Sequence, residues 1–351
     1  MLSRLFRDFQ GDVLAIPGRF IALVFIILLF FIPLIPGIND PYILRMLIFT
    51  NIFVIFAVSW DFISGYTGQV NFGHALFFGV AAYTTAMLNR GAPLGPGWPI
   101  WATIPIGALA ATVAGVVMCL PALRLRGPYL SLVTLAFPLI LTGIIFANTQ
   151  FTGGELGISG IDRISNSRTT DYYISVVVML VSVFIMWKFT DAKSGLVRTG
   201  IILHAIREDE IAARASGINT IRYKLFAFIV GGFFAGIAGA LYAHFMRIAG
   251  PSTLELNLSF QAIIWTVFGG IVSIFGPVVG VYILYPLIES LRVISEYRML
   301  IFAALVIVIL LFMPEGIAVF LRDKMERECP RCKLTNGWWR RTCRACSAEL
   351  Y

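Results

Sequence analysis

Four cysteines carry the most specific chemical signal in this chain. Cys329-Pro330-Arg331-Cys332 and Cys343-Arg344-Ala345-Cys346 form two matching C-x-x-C pairs separated by a short spacer. Four thiolates in that arrangement can surround one zinc ion tetrahedrally, each pair forming a knuckle. Such a site leaves the metal no open position for water, so it is structural and argues against a zinc enzyme. Two disulfides are the competing reading, which a reducing cytoplasm would disfavour. Trp338 and Trp339 lie between the knuckles and are expected to supply the little packing so small a module has. Cys119 stands alone in an apolar run and is expected to be a packed, inert thiol.

A second group of residues is polar where hydrocarbon is expected. Gly65-Tyr66-Thr67-Gly68-Gln69-Val70-Asn71-Phe72-Gly73-His74 sets glycines, a glutamine, an asparagine and a histidine between two apolar runs. Backbone that leaves helical form at membrane depth must be shielded by protein or line a cavity. Gly269-Gly270 and Gly276-Pro277 form another irregular pair, and two such breaks in one transporter point to a solute route. Gly65, Tyr66, Gly68, Gln69, Asn71, His74, Gly269, Gly270, Gly276 and Pro277 are therefore the candidate path residues. The alternative for the first break is an interfacial loop whose His74 is satisfied locally. Asp61, close to it, reads as an interfacial carboxylate rather than a proton relay. With only His74, His204 and His244, no histidine-rich metal site is suggested. Gly232, Gly236 and Ala240, with Ala235, Gly239 and Ala243, repeat small residues every fourth position, which is helix-packing chemistry. Thr152-Gly153-Gly154-Glu155-Leu156-Gly157 is glycine-rich, but no Gly-Lys-Ser/Thr follows, so a phosphate-binding loop is absent.

The third group is a charged segment, residues 205–217, between apolar stretches. It is expected to form one short helix, with Glu208, Asp209 and Glu210 in the first turn near the positive end of the dipole. Gly217 ends it, since glycine tolerates the left-handed conformation. Glu210, Ala213 and Gly217 then share a face, and small residues there would let a partner approach the backbone.

These groups need a scaffold, and composition says which kind. The chain has 351 residues, 58% hydrophobic and 13% charged, with mean hydropathy +0.85. That is a membrane protein's composition. The net charge of +8 clusters in loops and at both ends, so it reads as topology and lipid-headgroup contact and not as nucleic-acid binding. No small-residue cleavage site follows the first charged residues, so a removed signal peptide is not expected. Apolar runs cover 20–35, 43–63, 72–88, 98–123, 129–147, 172–189, 225–246, 260–291 and 299–313. Lys188, Lys193, Arg198, Arg207, Arg214, Arg222 and Lys224 crowd one loop, which the positive-inside rule places in the cytoplasm with both termini. The expected fold is an all-α polytopic membrane protein of about eight to ten transmembrane helices with glycine-broken or re-entrant segments. A small zinc-ribbon-like module would follow. The expected divisions are a cytoplasmic segment 1–19, a transmembrane domain 20–321 with a cytoplasmic loop 190–224, and a cytoplasmic tail 322–351.

Several motifs, in order, resemble branched-chain amino acid ABC transporter permeases of the LivM type. They are the Gly65–Ala75 stretch, Arg124-Leu125-Arg126-Gly127-Pro128-Tyr129, Thr152-Gly153-Gly154, Ala205 through Gly217, and Gly269-Gly270 with Gly276-Pro277. The resemblance covers about Ile43 to Pro314. It implies that Glu208, Asp209, Glu210, Ala212, Ala213 and Gly217 form the helix that docks into an ATPase subunit. It also implies two ATPase subunits, a second homologous permease, an extracytoplasmic substrate-binding protein, and a bacterial or archaeal plasma (inner) membrane. ATP would act only through those partners, and the chain would not itself be an enzyme. Asn71 stands where the family usually has serine, and the cysteine tail is not part of the usual permease. Urea or short-amide permeases resemble the same family, so they are the rival cargo reading. An ion-coupled secondary transporter is the rival of another class, but it would need an intramembrane charge relay that the sequence lacks.

Overall fold

A computed structural model of the chain describes residues 17–35, 40–90, 97–122, 128–191, 199–294, 297–332, 335–343, 346 and 348–350. Arg124, Leu125, Arg126, Gly127, Lys193 and Arg198 lie outside the described residues, as does most of the expected segment 1–19.

The molecule is built on α2 (Pro41–Trp60), whose residues 48–67, with the turn that follows it, are buried without interruption. A helix apolar on every side belongs inside a bundle, and the helices over Arg168–Thr190, Thr220–Met246, Leu256–Gly269 and Phe275–Ser290 pack directly on this one. Around it in chain order come α1 (Pro17–Phe31), α3 (Ala75–Arg90), α4 (Ile100–Ala122), α5 (Pro128–Ala147) and α6 (Arg168–Thr190). Two short helices follow, α7 (Thr199–Glu208) and α8 (Glu210–Ala215), then α9 (Thr220–Met246). A hairpin comes next, α10 (Leu256–Gly269) and α11 (Phe275–Ser290), before α12 (Arg298–Phe312) and α13 (Ile317–Met325).

Among the described residues, five helices are long and apolar enough to cross a membrane by length and composition: those covering Pro41–Gly65, Ile100–Pro121, Tyr129–Ala147, Arg168–Thr190 and Thr220–Met246. Shorter apolar helices cover Phe20–Leu34, Leu256–Gly269 and Phe275–Ser290. The protein is an all-α polytopic membrane protein. Outward faces of α4, α5, α6 and α12 stay apolar, as at Val113, Leu132, Phe184 and Leu311, which suits contact with lipid or with another membrane subunit.

The small residues of α9 act as the spacing predicts. A Cβ on Gly232 would strike the Phe77 ring of α3, and one on Gly236 would strike Ala108 and Ala111 of α4. Their absence lets α3 and α4 close on α9. Cys119 is fully buried. On one side of the bundle, β1 (Ile158–Ser159) pairs antiparallel with β2 (Ile248–Ala249). Nearby, His244 bridges Thr103 Oγ1 at 2.8 Å and the Asp162 carbonyl at 2.9 Å. That role is structural.

The tail continues directly from α13, which runs through residue 322. Its β3 (Glu326–Glu328) and β4 (Thr335–Gly337) form an antiparallel hairpin with Glu326 opposite Gly337.

Candidate functional site

The helical ladder of α2 does not end cleanly. It widens into a π-turn, Asp61–Gly65, a form that often marks functional sites. Two helical residues follow, then from Gly68 the chain leaves helical form as far as His74, and side chains take up several of its backbone groups. Ser64 Oγ accepts the Asn71 N–H at 3.1 Å, Thr134 Oγ1 accepts that of Phe72 at 3.1 Å, and Ser259 Oγ accepts that of Ala75 at 2.8 Å. Ser131 Oγ donates to the Val70 carbonyl at 2.9 Å, and Trp60 Nε1 donates to that of Asn71 at 2.7 Å. Asn71 Oδ1 accepts the Gly73 N–H at 2.9 Å. The loop is thus tied to α2, α5 and α10, which is how irregular backbone survives at membrane depth. His74 is buried, with Nε2 at 2.9 Å from Ser59 Oγ and 3.2 Å from the Phe56 carbonyl. Its Nε2 is thus held by α2. Gln69 Oε1, Asn71 Nδ2 and His74 Nδ1 are buried without a partner, so polar capacity remains along this loop.

The second break is built differently. At Gly269 and Gly276, and again at Gly280, a Cβ would overlap backbone of the facing helix. The missing side chains let α10 and α11 pack backbone to backbone as an antiparallel hairpin. At about 1.5 Å per residue, these helices are shorter than the roughly 30 Å hydrocarbon core. Gly270 takes φ +117°, and Val272, a β-branched residue, takes φ +64°, a strained conformation.

Asp61 joins the two breaks. Its Oδ1 accepts the Val272 N–H at 2.9 Å, which fixes the strained turn against the π-turn of α2. The carboxylate needs Gly65, because a Cβ there would collide with it. Asp61 is fully buried, covered by the α10–α11 turn. Thr266 Oγ1 adds a link to the Ala57 carbonyl at 3.3 Å.

The charged segment abuts this junction. A Cβ on Gly68 would lie 3.3 Å from Arg207 Cγ, and the Tyr66 ring packs on His204 at 5.4 Å between centroids. Tyr66 also interacts with Thr190, at the end of α6, and with the Ile274 backbone. The single helix expected over 205–217 is two. Asp209 leaves helical geometry and its carboxylate accepts the N–H groups of Ile211 and Ala212 at 2.8 and 3.0 Å, capping α8. The shared face of Glu210, Ala213 and Gly217 also changes. Ala213 is buried, and Glu210 turns inward to Arg214, to Thr220 Oγ1 at 3.1 Å, and to Lys224 Nζ at 2.7 Å. Partial burial alone would raise the Glu210 carboxyl, but hydrogen bonds from Lys224 and Arg214 hold it down at about 2. Glu208, Asp209, Ile211, Ala212 and Gly217 remain exposed, Ile211 at 72%. Gly217 has φ +84° and open space at its Cβ position.

In the tail, the Sγ atoms of Cys329, Cys332, Cys343 and Cys346 all lie within 4.8 Å of one another. Cys329–Cys346 and Cys332–Cys343 are each 3.4 Å apart. A disulfide needs about 2.05 Å, so neither pair is disulfide-bonded. A tetrahedral centre with bonds of about 2.3 Å spaces sulfurs at roughly 3.8 Å, so the four residues fit one metal ion. Hydrogen bonds from the backbone at Cys332 lower the Cys329 thiol, which favours the thiolate a metal needs. Trp338 and Trp339, expected as packing, are 57% and 51% exposed. The core of the module is Cys329, Cys343 and Leu350, too narrow to take two indoles.

Broken helices joined at a buried carboxylate, with a short helical elbow beneath them, define a polytopic membrane transporter subunit. Residues 42–310 match the family described as branched-chain amino acid transport system / permease component, and the chain belongs to that family. It is 30% identical over 317 residues to the high-affinity branched-chain amino acid transport system permease protein LivM of Escherichia coli, covering 82% of this chain and 71% of that protein. The probable LivM permease of Methanocaldococcus jannaschii is 23% identical, with 78% and 92% covered. LivH of Escherichia coli is 24% identical, with 76% and 90% covered.

Proposed function

We propose that the chain is a permease subunit of an ABC importer that carries branched-chain or other hydrophobic amino acids. One observation supports it most: the α7–α8 elbow touches the first break through Arg207–Gly68 and His204–Tyr66, and Asp61 ties that break to the second. Closure of partner ATPases on Ile211, Ala212 and Gly217 would be transmitted through this junction to both breaks. Glu208 and Asp209 would meet the partner at the rim. Glu210 and Ala213 would hold α8 to the body and let it move as a unit with α9. Gly65, Tyr66, Gly68, Gln69, Asn71, His74, Gly269, Gly270, Gly276 and Pro277 would border the path, with Gln69 and Asn71 offering its polar contacts.

Two ATPase subunits, an extracytoplasmic binding protein and a second permease complete the assembly. Similarity to proteins named LivM and LivH alike favours a homologous sister permease. The elbow and both termini would face the cytoplasm of a bacterial or archaeal cell, where ATP is available. The permease domain 20–321 would be followed by a zinc-loaded tail, with Cys329, Cys332, Cys343 and Cys346 as ligands supplying structural cross-linking.

Affinity purification from native membranes, with proteins and zinc quantified, tests the assembly. Recovery of both ATPases, a sister permease and about one zinc per chain is expected. A chain recovered alone yet still transporting would refute the ABC reading. Competition of uptake by leucine, isoleucine and valine, against urea and acetamide, decides the cargo.

A further inference from the structure

We infer that α13 and the four-cysteine module form an anchor for the anionic headgroups of the bilayer that the chain itself spans. The inference does not depend on what the permease carries.

Position comes first. Glu326 Oε1 accepts the Gly18 N–H at 3.2 Å, so β3 lies against the first turn of α1. Phe20 and Ile21, exposed and apolar, begin the membrane-facing run two residues later. Trp338 follows β4 directly, and its N–H donates to the Met325 carbonyl at 3.0 Å. The tryptophan pair is therefore held near the level where α1 enters hydrocarbon. Indole rings favour that level, with an apolar face for the acyl boundary and an N–H for the headgroups.

Chemistry agrees with position. The rings of Trp338 and Trp339 lie edge to face at 6.3 Å and are left outside by the narrow core. On α13, exposed Phe320 and Leu321 stand beside exposed Arg322 and Lys324, the pattern of a helix that lies in an interface. Basic residues outnumber acidic ones two to one across 322–351. The module stays net positive even after a divalent ion on four thiolates adds negative charge. A basic, indole-bearing surface at this height is complementary to anionic lipid.

The test uses the full chain in nanodiscs of phosphatidylcholine alone or mixed with phosphatidylglycerol. The emission of Trp338 and Trp339 is read as the difference from W338F/W339F, whose unchanged metal content shows that the module is folded. Quenching by brominated lipid and protection from acrylamide are expected, and stronger with phosphatidylglycerol. R340E/R341E should return the difference emission to acrylamide. Acrylamide quenching in both compositions, with none from brominated lipid, would overturn the inference. Equal protection in both would overturn the anionic headgroup as ligand. Protection that appears only on adding the ATPase subunits would assign this face to a protein instead.

Discussion

At the first break, residues 68–74 run outside helical form, and hydroxyls of Ser64, Ser131, Thr134 and Ser259 bond the backbone of this stretch and of Ala75. At the second, a short turn on Gly270 joins two helices that are held close because Gly269, Gly276 and Gly280 lack side chains. The first region spreads its stability over many modest polar contacts and keeps unpartnered atoms in reserve. The second concentrates it in a few close contacts and a strained Val272. A region with redundant hydrogen bonds can rearrange one bond at a time. A close-packed hairpin moves as a block. Asp61, shared by both, is where movement of one must register in the other.

The largest effect should come from filling the hairpin. Gly276→Leu places a side chain into the Gly270 carbonyl. Overpacking of this kind costs about 1–3 kcal/mol or more, and here no side chain can yield. Loss of monodisperse protein on size exclusion is expected, and normal yield would show that the hairpin is not close-packed. Gly217→Val meets open space but forces a β-branched residue to φ +84°, so it should lower stability modestly and abolish coupled uptake. Gly217→Asn, which tolerates that conformation, should keep yield and show the loss of uptake alone.

Next is the shared carboxylate. Asp61→Ala leaves the Val272 N–H without its acceptor, at about 1–3 kcal/mol. Thermal stability should fall and uptake should fall further. Adding Val272→Gly, which relieves the positive φ, should recover part of the stability. Absence of any recovery would remove the strained turn from this account.

A substitution at the solvent-exposed edge of the first break should cost less, because water can replace the lost bond. Ser131→Ala, which removes the exposed bond to the Val70 carbonyl, is expected to lower stability by about 0.5–1.5 kcal/mol, read as a small shift in Tm. A loss as large as that of Gly276→Leu would erase the distinction between the two regions.

Smallest is the pH response of the elbow. The Glu210 carboxyl is depressed from 4.5 to about 2. Its contribution is therefore fully present above the unfolded value and is lost as pH falls through the folded one. Limited proteolysis of the 199–219 segment should be flat from neutral pH down to about 4.5 and rise below it. A transition near neutrality would mean that another group holds the elbow.

Much of this was legible. Nine apolar runs and two glycine breaks located the helices, since hydropathy and glycine act locally. The C-x-x-C spacing gave the thiol cluster because each knuckle is a local turn. The break in the 205–217 helix carried a signal too. Asp209 precedes a run of good helix formers, where a short carboxylate competes for backbone N–H groups and caps instead of continuing. The inward turn of Glu210 was not legible, since it depends on Lys224 reaching back from α9. Ser59, Ser64, Thr134 and Ser259 were also missed, because a hydroxyl in an apolar helix has no periodic signature. Nor could spacing show that the two tryptophans stay outside, which follows from how little core the module has.

By itself the sequence determined the membrane class, the places where helix must fail, and the four thiols that gather. Each follows from composition, backbone freedom or short spacing. Only the tertiary structure decided that Asp61 pins the strained turn at Val272, that the elbow packs against the first break, and which face of α8 stays exposed. Those outcomes depend on contacts between residues far apart in the chain, and the packing of helices around α2 alone brings them together.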